Sequence, residues 1–113
     1  MTKRVERIAE IGERRDALSQ EWAALADACG FLPLPLPNRL STVRALLEAL
    51  KPEGVLLTGG NDLAAYGGDA PERDETEHFL IDWAAEGRGP LLGVCRGAQL
   101  LLDHFGTPLQ RVE

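Results

Sequence analysis

Long apolar runs are missing from this sequence, because Pro, Gly or a charged residue interrupts each apolar stretch within a few positions. A bilayer-spanning helix needs about 20 consecutive apolar residues, so we expect no membrane partner. Basic residues are also in the minority: 12 Lys and Arg stand against 18 Asp and Glu, and the net charge is −6. This balance argues against nucleic acid as a partner. Four of the first seven residues are charged and no apolar stretch follows them, so we expect no signal peptide and a cytoplasmic location.

Cysteine is scarce as well. The 113 residues contain two, Cys29 and Cys95, in unrelated contexts. Such a pair suggests neither a disulfide framework nor a zinc site. We interpret Cys29 as a small, partly buried side chain at the end of a helix. With 44% hydrophobic residues and this length, the sequence can form one modest α/β core.

The apolar pattern alternates between helix and strand along the chain. We predict four helices: residues 16–28, residues 41–50, residues 72–86, and a helix from Cys95 to just before Gly106. In the second helix we expect Ser41 to be the N-cap and Leu50 to face inward. We predict strands over 55–58 and 91–94, and an extended segment over 31–37, where three prolines exclude a helix. Such alternation predicts an α/β fold with a doubly wound, mostly parallel sheet and helices on both faces. The site then lies at the carboxyl ends of the strands.

Residues 90–99 are the most informative segment, because an apolar strand leads into a cysteine and a helix follows at once. Gly93 and Gly97 permit a sharp turn that holds Cys95 where strand and helix come close together. A thiol at a helix N-terminus is favoured as the thiolate, the form that attacks. Cys95 is therefore the candidate nucleophile, and the amide of Arg96 is a candidate oxyanion donor. Alone, the pattern also fits a small apolar cysteine between two core glycines.

A second apolar strand, residues 54–58, ends in the pair Gly59 and Gly60, which could supply a second oxyanion amide. Together these motifs resemble the class I glutamine amidotransferase superfamily, most closely the γ-glutamyl hydrolase branch that includes γ-glutamyl-γ-aminobutyrate hydrolases. The matching pieces are residues 58–62, 71–77, 90–99 and 106–110. In addition, residues 13–22 and 34–38 are similar to the opening of amidotransferase-like hydrolases of capsule biosynthesis, which act on a γ-glutamyl-CDP-amidate.

The resemblance implies cysteine-dependent hydrolysis of a small γ-glutamyl amide through a γ-glutamyl thioester. Cys95 would attack the γ-carbonyl, and the amides of Gly60 and Arg96 would hold the oxyanion. Gly59, Gly60 and Gln99 would contact the γ-glutamyl group. No metal or organic cofactor is implied, and a synthase would be the partner if ammonia is the leaving group.

The sequence departs from the superfamily in one respect. Superfamily enzymes take a His and a Glu for their catalytic triad from an H-x-E segment well beyond the cysteine, and no such segment follows Cys95 up to Glu113. Residues 1–5 also resemble the end of a first strand. We therefore expect residues 1–113 to be a partial amidotransferase-like domain. Without a general base, which contributes about 10²–10⁴-fold, this chain alone should be nearly inactive.

Several polar residues have a structural interpretation beside the functional one. Arg73, Asp74 and Glu77 fit exposed or helix-capping ion pairs better than a catalytic role. Asp62 is expected to brace the glycine loop by hydrogen bonds to nearby amides.

Two other function classes stay open from the sequence. One is a non-catalytic amidotransferase-like binding module. The other is a thiol or redox protein on a similar α/β scaffold, against which the glycine pair and Gln99 argue. Neither histidine is expected to be a catalytic base, since His78 lies within a predicted surface helix and His104 lies nine residues beyond Cys95.

Overall fold

Short strands and longer helices alternate in the computed structural model, which describes residues 1–110 and residue 112. In chain order the elements are β1 (Arg4–Ile8), β2 (Glu13–Ala17), α1 (Gln20–Cys29), α2 (Leu40–Leu50), β3 (Val55–Leu57), α3 (Pro71–Trp83), β4 (Leu91–Gly93) and α4 (Arg96–His104). Short 3₁₀ turns cover Ala9–Ile11 and Ala64–Tyr66, and a π-type turn covers Ala84–Arg88. The predicted mixture of helix and strand is confirmed. Within the described part of the chain, no helix is long and apolar enough to cross a membrane.

The strands form two separate pairs instead of the doubly wound sheet that the sequence predicts. β3 and β4 run parallel, with Val55 opposite Leu91 and Leu57 opposite Gly93. β1 and β2 form an antiparallel hairpin. The prediction of parallel strands therefore holds for β3 and β4, while a continuous sheet is not formed by the described strands.

Two extended segments nevertheless continue the parallel pair on the β3 side. The amide of Thr2 donates to the carbonyl of Leu56 at 3.0 Å, and the hydroxyl of Thr58 donates to the carbonyl of Thr2 at 3.0 Å. On the other side of this N-terminal segment, the carbonyl of Met1 accepts a hydrogen bond from the amide of Leu36 at 2.8 Å. Prolines at 33, 35 and 37 have no N–H to donate. The hydrogen-bond ladder at this edge is therefore short, which explains why residues 31–37 are extended without forming a regular strand.

The helix predicted over residues 16–28 begins later in the structure, because its first residues belong to the N-terminal hairpin. β2 continues to Ala17, and helix α1 begins at Gln20 with Ser19 as its N-cap. Asp16 is engaged elsewhere, because its carboxylate accepts both the backbone and the side-chain N–H of Asn38 at 2.8 Å. This contact between distant parts of the chain favours the extended conformation over an earlier helix start.

The core lies between the β3–β4 pair and helices α2, α3 and α4. Its buried residues are Leu36, Val43, Leu47, Val55, Leu57, Leu63, Leu80, Ile81, Trp83 and Leu100. Two predictions for α2 are wrong. Leu50, predicted to face inward, is 56% exposed, since it is the last helical residue before the chain turns at Lys51, which has φ 45°. Ser41 lies inside the first turn, and Arg39 occupies the N-cap position.

Candidate active site

Cys95 lies at the turn between β4 and α4 in an uncommon backbone conformation. Its φ is 54° and its ψ is −110°, a region that costs a non-glycine residue of order 1–3 kcal/mol. The residue is exposed. Cys29 is exposed as well, so the prediction that it is partly buried is wrong. Such strain persists only where the surrounding structure enforces it, and it concentrates at functional positions.

Close packing of the turn against β3 enforces this conformation. A Cβ atom on Gly97 would clash with the carbonyl oxygen of Leu57, and one on Gly93 would lie 2.7 Å from the carbonyl carbon of Gly97. The amide of Val94 donates to the same Leu57 carbonyl at 2.9 Å. The turn therefore has the sharp strand-to-helix geometry that the glycine spacing predicts, and both glycines are required by contact distances.

The glycine pair after β3 lies against the cysteine. A Cβ atom on Gly59 would be 3.5 Å from Cβ and 3.9 Å from Sγ of Cys95. Gly60 has φ 88°, and a Cβ atom there would meet the side chain of Arg4 at 3.1 Å. The structure thus brings Gly59 and Cys95 together, two residues that the sequence analysis selected from segments 36 positions apart.

A buried arginine holds this glycine loop from the other side. The guanidinium of Arg73 donates to the carbonyls of Thr58 at 2.8 Å, Gly59 at 3.0 Å and Gly60 at 2.5 Å. Its Nε donates to Oε1 of Glu77 at 3.0 Å, and both side chains are fully buried. Burial lowers the pKa of Arg73 from its ordinary value, while Glu77 opposes that shift.

Arg96 belongs to the same buried cluster. Its guanidinium donates to the carboxylates of Glu77 and Asp74, and the residue is 2% exposed. The prediction that Arg73, Asp74 and Glu77 form exposed or helix-capping pairs is therefore wrong for Arg73 and Glu77, which are 0% exposed. Helix α3 turns this face toward the glycine loop and α4, so these charges pair in the interior.

Asn61 braces the glycine loop in the way expected of Asp62. Its side-chain oxygen accepts from the amide of Val5 at 2.8 Å, and its side-chain nitrogen donates to the carbonyl of Val5 at 2.9 Å. Asp62 is exposed and lines a neighbouring cavity. This role of Asn61 was not predicted from the sequence, although an Asn directly after a glycine pair is a signal for a left-handed conformation, and its φ is 64°.

Gln99 lies one turn along α4 from Cys95 and is exposed. Its backbone amide donates to the carbonyl of Cys95 at 3.1 Å. It lines a cavity of about 410 Å³ together with Leu63, Tyr66 and Leu109. A smaller cavity of about 150 Å³ lies on the hairpin side of the glycine loop, between Arg4, Trp22 and Gly60. Contact of Gln99 with a γ-glutamyl group stays a prediction.

Both histidines are engaged with each other instead of with the cysteine. Nδ1 of His78 and Nδ1 of His104 are 2.7 Å apart, and Nε2 of His104 lies 2.9 Å from the carboxylate of Asp82. Both ring nitrogens of His104 therefore have partners on α3. This geometry agrees with the expectation that neither histidine acts as base for Cys95.

Comparison with known proteins identifies the family. The model of the Peptidase C26 family matches residues 2–113, and the chain belongs to this family of class I glutamine amidotransferase-like enzymes. The γ-glutamyl-CDP-amidate hydrolase of Campylobacter jejuni is 34% identical over 108 residues, covering 89% of this chain and 52% of the relative. The γ-glutamyl-γ-aminobutyrate hydrolase of Escherichia coli O157:H7 is 33% identical over 111 residues, covering 88% of this chain and 43% of the relative.

A further relative is part of a synthase. This protein, one of the subunits of the glutamine-hydrolysing GMP synthase of Thermococcus kodakarensis, is 31% identical over 78 residues, covering 69% of this chain and 36% of the relative. The chain thus spans about half, or less, of the length of these curated relatives. The resemblance to the γ-glutamyl hydrolase branch of the superfamily is confirmed. The assignment of this chain to enzymes of the hydrolase and amidotransferase kind is confirmed as well.

Proposed function

We propose that this protein is part of an enzyme that hydrolyses a γ-glutamyl amide, with Cys95 as nucleophile. The observation that carries this proposal is the exposed Cys95 at a strained strand-to-helix turn, with its Sγ 3.9 Å from the position of a Cβ on Gly59. A thiol beside a glycine loop has backbone N–H groups close to the carbonyl that it would attack. The names of two relatives, both γ-glutamyl hydrolases, supply the substrate class.

The proposed reaction has two steps. In the first, the Cys95 thiolate attacks the γ-carbonyl carbon, and the amides of Gly60 and Arg96 hold the oxygen that becomes negative. The C–N bond then breaks, the amine leaves with a proton, and a γ-glutamyl thioester remains on Sγ. In the second step, water adds to the thioester, and glutamate and the free thiol are released. Gly59 and Gln99 contact the γ-glutamyl group in this proposal.

The proton that the leaving amine needs is proposed to come from a histidine outside these 113 residues. Among the described residues, His78 and His104 are bound to each other. Relatives about twice as long as this chain have room for further catalytic residues. We therefore propose that residues 1–113 form a partial domain that is nearly inactive on unactivated amides by itself.

The chemical identity of the leaving group decides whether the enzyme needs a protein partner. The relatives' names indicate a nucleotide amidate, a free amino acid or, in the case of the synthase, ammonia passed to a second protein. We propose a small-molecule γ-glutamyl amide as substrate, with a synthase partner only if the product is ammonia.

Labelling with 6-diazo-5-oxo-L-norleucine, a diazoketone analogue of glutamine, tests the nucleophile without requiring a base from the protein. The diazo carbon takes a proton from water, the thiolate displaces N₂, and a stable C–S bond forms. We expect labelling at Cys95, competition by γ-glutamyl-γ-aminobutyrate or glutamine, and no label in Cys95→Ala. Cys29→Ala is the matched control, since Cys29 is also exposed, and it should label normally. Equal labelling of both cysteines, without competition, would contradict the proposal and favour a thiol protein without γ-glutamyl recognition.

A further inference from the structure

The buried cluster beneath the candidate site connects its two proposed oxyanion donors. Arg73 binds the glycine loop, Arg96 directly follows the nucleophile, and Glu77 accepts hydrogen bonds from both guanidinium groups. All three side chains are at most 2% exposed. The loop after β3 and the turn after β4 are therefore joined through one carboxylate, in addition to the backbone contact between their strands.

The hydrogen bonds of Arg73 fix the direction of three consecutive peptide groups. The carbonyls of Thr58, Gly59 and Gly60 all converge on its guanidinium. In a trans peptide the carbonyl of one residue and the N–H of the next point in opposite directions. The N–H groups of Gly59, Gly60 and Asn61 must therefore point away from Arg73. A backbone N–H group held in this direction can donate to negative charge on the side of the loop opposite Arg73.

Arginine is suited to this position for a geometric reason. Its planar guanidinium carries five N–H donors in a fixed arrangement, whereas a lysine ammonium carries three on a flexible stem. Arg73 uses that capacity fully, since it donates to three backbone carbonyls, to Glu77 and, at 3.3 Å, to the side-chain oxygens of Asn61 and Thr58. The positive charges of Arg73 and Arg96 are balanced by Glu77 and Asp74, so the cluster can stay buried.

We propose that Arg73 is a positioning residue of the reaction: by binding the loop carbonyls and Glu77, it turns the Gly60 amide toward the oxyanion and sets its place relative to Arg96. Arg73 touches neither substrate nor thiol in this role. The catalytic part of this proposal rests on the proposed function. The direction of the amides can be tested independently of it.

The experiment compares two reactions of the same thiol. A γ-glutamyl thiophenyl ester acylates Cys95 through a tetrahedral oxyanion: the new C–S bond forms, the old one breaks, and thiophenolate leaves without a proton from the protein. Iodoacetamide alkylates the same sulfur by displacing iodide, and no oxyanion forms. The ratio of the two rates therefore reports oxyanion stabilisation separately from the reactivity of the thiol. Circular dichroism checks that each variant is folded.

We expect Arg73→Lys to lower the acylation rate at least about 10-fold relative to alkylation, since loss of one oxyanion donor costs about 10²–10³-fold in enzymes where it has been removed. Arg14→Lys is the matched control, because Arg14 pairs with Glu72 on the exposed side of α3, and its ratio should be unchanged. A normal ratio in folded Arg73→Lys overturns the proposal.

A second measurement on the unmodified chain decides the question if Arg73→Lys does not fold. Amide hydrogen exchange followed by NMR should show that the Gly60 N–H exchanges rapidly, as an outward-facing amide does, and that its chemical shift changes when Cys95 is acylated or alkylated. A strongly protected Gly60 amide would overturn the positioning role. If the thiophenyl ester does not acylate Cys95 in the unmodified chain, that result counts against the proposed function. The hydrogen-exchange measurement then tests only the direction of the Gly60 amide.

Discussion

Pairs of arginine and carboxylate occur in two regions of this protein with opposite surroundings. In the cluster between α3 and α4, Arg73 and Glu77 are 0% exposed. In the N-terminal hairpin, Arg15 pairs with Glu13 at a similar distance, 2.7 Å, but their side chains are 54% and 48% exposed. The two pairs differ little in chemistry or geometry. Their energetic consequences differ because water screens one pair and is excluded from the other.

The difference concerns what happens when one partner is lost. An exposed pair contributes about 0–1 kcal/mol, since each ion is solvated with or without the other. A buried ion left without its partner has no such compensation, and removal of one member costs about 3–5 kcal/mol. The buried cluster is therefore a strong constraint on the position of the glycine loop, while the hairpin pairs constrain little. Three experiments compare the two regions, and a further one on the N-terminal amine tests burial of a cation without a carboxylate partner.

The largest effect is expected for Glu77→Gln. The substitution keeps the size of the side chain but removes the negative charge that Arg73 and Arg96 share. We expect the free energy of unfolding in urea to fall by about 3–5 kcal/mol. The isosteric control is Glu13→Gln in the hairpin, for which we expect less than about 1 kcal/mol. Equal losses for the two variants would show that burial does not distinguish the regions.

A pair of glycine substitutions extends the comparison from charge to packing. In Gly97→Ala the new Cβ would clash with the backbone oxygen of Leu57 in β3, so the turn at the cysteine must shift, at a cost of about 1–3 kcal/mol or more. In Gly12→Ala nothing lies within 4 Å and only the positive φ of 63° opposes the change, which costs about 1 kcal/mol. Thermal unfolding measures both. A larger loss at Gly12 would contradict the interpretation that the cysteine turn is the more tightly packed region.

The N-terminal amine shows what burial of a cation costs when its partner is a carbonyl instead of a carboxylate. The amine of Met1 donates to the carbonyl of Leu34 at 2.9 Å, and burial, with a smaller contribution from Lys3, lowers its pKa from 8.0 to about 6. The unfolded chain binds the additional proton between pH 6 and 8, so stability should rise with pH across that window, by about 1–2 kcal/mol. Unfolding of the 113-residue chain at several pH values measures the slope. An Nα-acetylated chain, which has no titrating amine, should lose this part of the slope.

The smallest effect is expected where the hairpin meets α3. Arg14 donates to the carboxylate of Glu72 and to the carbonyl of Asp69, and the Glu72 carboxylate raises the pKa of Arg14. Because this contact is exposed, Arg14→Gln should leave global unfolding unchanged and only speed hydrogen exchange of the β1 and β2 amides. High salt should produce a similar change in the unsubstituted chain. A large drop in global stability would place this pair in the same class as the buried cluster.

Local patterns determined what could be predicted from the sequence. The turn at Cys95 was predictable, since a strand, two glycines and a helix follow one another within ten residues. The glycine pair was predictable for the same reason, and the structure places Gly59 beside Cys95. The assignment to the superfamily depended on the order of these motifs, and the family comparison confirms it.

Features that depend on contacts between distant segments were not predictable. Arg73 and Glu77 are four residues apart on a helix, a spacing typical of a surface ion pair, and only the packing of α3 against the glycine loop buries them. The start of α1 was misplaced because Asp16 binds Asn38, 22 residues away. The doubly wound sheet is not confirmed, because the alternation of elements gives their order but not their pairing. In the extended segment over 33–37 the prolines also remove N–H groups that a regular ladder needs.

The contact between Asn61 and Val5 joins the hairpin to the glycine loop independently of the side chains of β1. The hydrogen bonds of Asn61 to Val5 reach only backbone atoms, so this joint between hairpin and glycine loop does not depend on side chains in β1. Substitutions in the hairpin, including those of Arg4 and Ala17 that line the neighbouring cavity, therefore leave these two hydrogen bonds intact. The position of the glycine loop relative to β1 is thus set by backbone atoms that every hairpin sequence possesses.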